Sequence, residues 1–149
     1  MPESSYALAL KKLSVRAYST VEMRQLLVRA GHDSPDINET MEKLQAYGYL
    51  NDVRLAETLY TFYLERKPCG PALLKKKLLQ KGLSKDLIQS TLTGYDEQTE
   101  LQLASIITKK YLLRSKPEAG ALARFLQRKG FNRDIILKML NEHYSSIDM

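Results

Sequence analysis

Apolar residues recur along the chain in a pattern that repeats itself around three glycines. MRQLLVRAG ends at Gly31, LKKKLLQKG at Gly82 and LARFLQRKG at Gly130, with spacings of 51 and 48 residues. Eight and four residues before each glycine stand Met23 and Leu27, Leu74 and Leu78, Leu122 and Leu126. Residues four apart share one face of a helix, so each pair predicts a buried stripe. Six and ten residues after the glycine stand Ile37 and Met41, Ile88 and Leu92, Ile136 and Leu140. Between the glycine and this second pair lies a residue suited to begin a helix: Ser34, followed by Pro35, then Ser84 and Asn132. Each copy therefore reads as helix, glycine stop, capped helix.

The first two copies continue into a third helix. Asn51 is placed to cap one, with Asp52 favourable to its dipole, Leu50 positioned to staple onto Leu55, and a stripe of Leu55, Leu59 and Phe62. Asp96 opens the other, with Ala104, Ile107 and Tyr111 as its stripe. Both end at a Lys-Pro step, Lys67-Pro68 and Lys116-Pro117. Tyr6, Leu10, Leu13 and Ala17 describe an additional helix ahead of the first copy. The expected fold is all-α: an N-terminal helix (1–18) and tandem three-helix, helix-turn-helix-like repeats at 19–67 and 68–116, with a truncated repeat at 117–149 ending in the tail HYSSIDM. Units that pack mainly on their neighbours predict an elongated, curved array.

Composition agrees with helices. The 149 residues include 25 Leu against 11 Val and Ile together, a ratio that favours helix over strand. At 44% hydrophobic and 27% charged the chain is too apolar for disorder, and no apolar run approaches the roughly 20 residues that span a bilayer. The opening MPESSYALALKK has the reverse polarity of a secretory signal, and a lone Cys69 permits no internal disulfide. A cytoplasmic location is expected.

Charge changes the picture more. The net +6 is unevenly spread: residues 66–85 carry +7 with no acidic group, 86–108 carry −4, and 109–133 carry +7. Two basic blocks in phase with a repeat look like a footprint for a polyanion rather than two solvated faces. The outer positions of the first helix in each copy are Gln25 and Arg29, Lys76 and Gln80, Arg124 and Arg128. Residues 1–65 have a net charge of −2, so a merely solvated face explains the first pair. In the other two copies a binding surface is the better account, and the expected contacts are Lys75, Lys76, Lys77, Lys81, Lys109, Lys110, Arg124, Arg128 and Lys129.

Candidate chemistry is sparse. His32 and His143 have no second ligand at metal spacing, GHDSPD reads as a stop and a cap, and no phosphate loop, nucleophile elbow or CxxC is present. Catalytic residues, metals and cofactors are therefore none. Cys69, in a Pro-Cys-Gly-Pro link, lacks an activating His and reads as an inert linker thiol, exposed if anything. Tyr111 beside Lys109 and Lys110 could stack on bases, whereas Tyr47, Tyr49, Tyr60 and Tyr63 are expected at the edges of small cores.

Several segments, in order, resemble the RecX family of bacterial RecA regulators over about Ala7 to Leu140. ALALKKLSVRAYSTVEMRQLL resembles the family's opening, with Arg16-Ala17-Tyr18-Ser19 at its Arg-Ala-Tyr-Ser signature and Glu22 and Arg24 following. GYLNDVRLA (48–56) resembles its Gly-Tyr-Leu-Asp-Asp-x-x-Phe-Ala box, with Asn51 for the first Asp and Leu55 for the Phe. GPALLKKKLLQKGL (70–83), KKY (109–111) and RFLQRKGF (124–131) resemble its later motifs. The resemblance implies a non-enzymatic protein that binds RecA and the RecA-single-stranded DNA filament and mostly inhibits recombinase, ATPase and co-protease activity in DNA repair and the SOS response. Beside it, the charge reading gives an expectation of weak DNA contacts without sequence choice, and a monomer with no membrane partner is expected. The alternative class is a stand-alone helix-turn-helix DNA-binding protein, which would need base-reading donors on one recognition helix.

Overall fold

The structure is a computed structural model and describes residues 3–144. Met1 and Pro2, and the tail from Ser145 onward, lie outside the described residues. Nine α-helices and one short 3-10 turn account for the described chain, with no strand among them: α1 Ser5–Leu13, α2 Thr20–Arg29, α3 Ser34–Ala46, α4 Asp52–Glu65, α5 Pro71–Gln80, α6 Lys85–Thr91, the turn Leu92–Gly94, α7 Glu97–Arg114, α8 Ala119–Arg128 and α9 Arg133–Tyr144.

The chain divides into two compact units, Met1–Thr58 with Leu78–Ile88, and Leu59–Lys77 with Gln89–Met149. In the first, α1, α2 and α3 close on Ala9, Met23, Leu27, Ile37, Met41, Leu44 and Leu50. In the second, α7, α8 and α9 close on Leu103, Ala104, Ile107, Leu122, Leu126, Phe131, Ile135, Ile136 and Met139. All six residues of the pre-glycine pairs are fully buried, as the spacing requires. Of the pairs after the glycine, Ile37, Met41, Ile88 and Ile136 are buried, and Leu92 and Leu140 half-buried.

Helix starts follow side-chain chemistry. Ser19 and Glu22 form a reciprocal capping box on α2, each side chain accepting the other's backbone N–H. Asn51 Oδ1 accepts the Arg54 N–H, Ser84 Oγ the Leu87 N–H, and Asp96 the Thr99 N–H at 2.8 Å. Hydrogen bonds from the Thr99 backbone and hydroxyl hold the Asp96 carboxyl below its ordinary range. The cap of α3 is Asp33, which accepts the Asp36 N–H, and not Ser34. The carboxylate is the stronger acceptor and places Pro35 inside the first turn, where its missing N–H costs nothing. Asn132 precedes α9 as expected, but its side-chain amide donates to Glu100 Oε1 at 2.9 Å while its N–H donates to Oε2 at 2.7 Å. Glu100, 3% exposed, thereby ties α7 to the start of α9.

Other expectations are corrected. α1 ends at Leu13 and leaves Ala17 outside it and exposed; its buried positions are Ser5 and Ala9, with the Ser5 hydroxyl 2.6 Å from that of Thr40. Ala56, not Phe62, is the buried position of α4, and Phe62 stays 40% exposed. Tyr47 and Tyr49 meet edge to face at 6.2 Å on the surface rather than filling a core.

The repeated glycine does what the spacing predicts. Gly31, Gly82 and Gly130 have φ of 93°, 89° and 88°. At each the glycine N–H and the next N–H turn back onto the preceding helix, as with Gly130 N to Gln127 O at 3.0 Å and Phe131 N to Leu126 O at 3.2 Å. Two of these turns are then gripped. Ser19 Oγ donates to the Lys81 carbonyl beside Gly82. Gly70 N–H donates to the Lys129 carbonyl at 2.7 Å and Ala72 N–H to that of Gly130 at 3.2 Å. Ser19 and Gly70 stand twelve residues before Gly31 and Gly82 respectively, so the grip recurs in register.

A Cβ on Gly130 would lie 2.3 Å from Leu73 N, whereas one on Gly31 would meet nothing within 4 Å. Gly31→Ala should cost only the left-handed backbone penalty of about 1–2 kcal/mol. Gly130→Ala adds overpacking of about 1–3 kcal/mol to that penalty. Urea unfolding of the two variants should show this order, and equal losses would refute the close approach.

Candidate functional site

The described residues place Lys77, Lys110 and Lys129 around one cleft of about 470 Å³ in the second unit, together with Lys67 and Arg114. Lys67 comes from the segment after α4, Lys77 from α5, Lys110 and Arg114 from α7, and Lys129 from the end of α8. The two basic blocks of the sequence thus converge on it. Its apolar lining is Pro68, Cys69, Leu73, Ile106, Ile107 and Phe125. None of these lining residues is acidic, and among the described residues none of the five cations forms an ion pair. Such pairs occur elsewhere, as Lys11 with Glu3 and Lys138 with Glu97.

Helix geometry explains the grouping. On α7, Ile106, Lys110 and Arg114 are spaced four apart and project along one stripe, while Leu103, Ala104, Ile107 and Thr108 face the core. On α5, Leu74 and Leu78 are buried, leaving Lys77 beside Leu73 at the flank that meets the cleft. Lys75 and Lys76 are exposed on the remaining faces of that helix, as are Lys109 on α7 and Arg124 and Arg128 on α8; none of these lines the cleft. Lys81 belongs to the first unit. Lys67 and Arg114 were not singled out from sequence, although Arg114 stands at the i+4 spacing from Lys110 that would have found it.

Aromatic contacts brace the wall. Tyr111 stacks on Phe125 with ring centroids 4.1 Å apart and planes within 5°, so it is not a free platform for bases. Lys129 Nζ sits over the Phe125 ring, 5.7 Å from its centroid, and Lys77 Nζ over Tyr63 at 5.6 Å. Cys69 is buried, not exposed as a linker thiol would be, and its carbonyl accepts the Tyr95 hydroxyl at 2.7 Å. Burial pushes the Cys69 thiol up, and the positive charges of Lys77 and Lys129 pull it partly back. The Tyr95 hydroxyl is also raised, by burial and then by the Glu100 charge.

His32 Nδ1 lies 3.2 Å from the Asp36 carboxylate, a local contact at the start of α3. The described residues hold no group of three or more His, Cys, Asp or Glu placed for a metal, and none of their helices is long and apolar enough to cross a membrane.

Known proteins supply the context for this geometry. A sequence model described as RecX, first three-helix domain, matches residues 6–44, the span of α1 to α3. The protein named Regulatory protein RecX from Legionella pneumophila strain Corby is 32% identical over 141 residues, 93% of this chain and 93% of that protein. This chain belongs to the RecX family. The RecX protein of Deinococcus radiodurans is 32% identical over 94% of this chain and 68% of its own length. Against the 33% identical RecX protein of Bacillus pumilus, this RecX-family chain spans about half the relative's length, 54%. The crystal structure of RecX from Lactobacillus salivarius matches with a TM-score of 0.80 at 24% identity, covering 93% of both chains. A second RecX crystal structure matches at 0.81 and 19% identity, over 93% of this chain and 72% of the other. These two likenesses bear on the fold, which is the all-helical RecX fold.

The first two segments that resemble the family fall on fastenings. In the Arg-Ala-Tyr-Ser segment, the Arg16 guanidinium lies 3.7 Å from the Tyr18 ring centroid and Ser19 makes the grip on Lys81. In the Gly-Tyr-Leu box, Arg54 donates to the Gly48 carbonyl at 2.6 Å, and Asp52 accepts both the backbone N–H and the hydroxyl of Thr20 at 2.9 Å.

Cys69 is the chain's only cysteine and so reports on the cleft. Its alkylation should require a higher pH than a free thiol. Lys129→Gln, by removing a favourable charge, should move the pH-rate profile further to the alkaline side. A shift to lower pH in that variant would contradict the arrangement.

Proposed function

We propose that this RecX-family chain is a non-enzymatic regulator that binds RecA and RecA filaments on single-stranded DNA and restrains their recombinase, ATPase and co-protease activities, acting as a monomer in the cytoplasm during DNA repair and the SOS response. The observation that carries the reading is the cleft in which five cations from both basic blocks converge without an internal carboxylate. Gathering like charges is unfavourable within the protein alone, and an external anionic surface relieves it. Family membership points to RecA as that partner. The exposed Lys75, Lys76, Lys109, Arg124 and Arg128 extend the positive surface, and phosphate contacts from them supply affinity without sequence choice.

The test is RecA ATPase on single-stranded DNA, titrated with wild type, with Lys77→Glu plus Lys110→Glu, and with Lys76→Glu plus Arg124→Glu. Wild type should inhibit, with potency falling as salt rises. Reversal in the cleft should weaken inhibition by about tenfold or more, the scale on which charge contacts at the centre of an interface act. Reversal on the outer faces should weaken it less. Absence of inhibition by wild type would remove the function, and equal inhibition by all three proteins would remove the site. Tight, sequence-dependent binding to duplex DNA without RecA would replace the reading with the stand-alone DNA-binding one.

A further inference from the structure

The cleft is more than a positive patch, because its cations stand beside apolar side chains that remain exposed among the described residues. Ile106 is 45% exposed and Leu113 is 87% exposed. With Lys110 and Arg114 they lie within about 100° of one another around α7, given 100° of rotation per residue. One helix face therefore alternates large apolar groups with cations: Ile106, Lys110, Leu113, Arg114. Leu73 and the edge of Phe125 continue the apolar surface into the cleft.

Two occupants would satisfy the charges. A phosphodiester strand neutralises the cations but offers only sugars and base faces to the apolar groups. The nearest ring that could receive a base, Phe125, is already stacked on Tyr111 and carries Lys129 over it. A polypeptide that mixes Asp or Glu with Leu, Ile, Val or Phe satisfies both sets at once, its carboxylates on the cations and its apolar side chains on Ile106, Leu113 and the cleft floor. We infer that the cleft and the adjoining face of α7 form a docking site for an acidic, apolar-anchored segment of a protein partner, and that nucleic acid is not its occupant. The inference deepens the regulator reading and rests on it for the identity of the partner, but the chemistry of the occupant is set by the side chains alone.

Three fluorescent probes separate the cases: an acidic peptide with leucines at helical spacing among glutamates, the same peptide with every leucine replaced by alanine, and an oligothymidylate of equal charge. Anisotropy titration of the full chain at one ionic strength should give the leucine peptide about tenfold tighter binding than either other probe, a difference of about 1.4 kcal/mol. Ile106→Ser and Leu113→Ser, made separately, should each reduce that preference while leaving oligothymidylate binding unchanged. Leu113 is too exposed for its replacement to unfold α7, so that variant reads the surface alone. If oligothymidylate binds as tightly as the leucine peptide, or if neither substitution changes the leucine preference, the site is a phosphate surface and the inference falls. Retained leucine preference in a protein that fails to inhibit RecA would leave the docking chemistry standing and overturn only the RecA assignment.

Discussion

Much of the architecture depends on one contact type: a helix that stops on a left-handed glycine, with the exposed end of that turn gripped by the chain twelve residues ahead of an earlier glycine. Between Gly70 and Gly130 the approach is so close that a Cβ on either would stand far inside van der Waals contact, 2.2 Å from Gly130 C in the one case and 2.3 Å from Leu73 N in the other. Around Gly82 the fit is looser, with Val21 Cβ at 2.8 Å, and the grip is a serine hydroxyl instead of a backbone amide. Where the backbones nearly touch, the joint uses N–H and C=O groups that every residue except proline has, and its demands on sequence are a left-handed turn at Gly130 and no intervening side chain.

That economy explains how legible the chain was. The helix pairs were visible because burial every fourth residue and a glycine stop are both written in residue type, and all six pre-glycine positions are indeed fully buried. What stayed hidden depends on distances between segments. Nothing in the local spacing marks Ala56 rather than Phe62 as the buried position of α4, because burial is decided by tertiary packing and not by residue type alone. Glu100 looks like an ordinary first-turn acid until the structure shows Asn132 bound to both of its oxygens. The cap of α3 lies one residue earlier than the spacing suggests because Asp33 and Ser34 are both good caps and the stronger carboxylate acceptor of Asp33 takes the Asp36 N–H.

The candidate site was legible in part for the same reason. Charge blocks can be counted along a sequence, so the cations themselves were found, but a block does not say which of its members face one another. Lys77, Lys110 and Lys129 converge while Lys75, Lys76 and Arg124 point elsewhere, and the apolar half of the site has no sequence signature apart from ordinary helix residues. The segments that resemble the RecX family divide between the two tasks: Ser19, Asp52 and Arg54 of the first two hold the fold together, while Lys77, Lys110 and Lys129 of the later three line the cleft.

Lys129 unites these two halves within a single residue. Its carbonyl receives the Gly70 N–H and so belongs to the joint, while its ammonium group lines the cleft and sits over Phe125. The backbone task is indifferent to the side chain, and the side-chain task places no demand on the backbone beyond position. A lineage can therefore exchange the residue at this point, and with it the charge shown to a partner, without loosening the joint. Recognition becomes free to drift on a frame that does not have to be rebuilt each time.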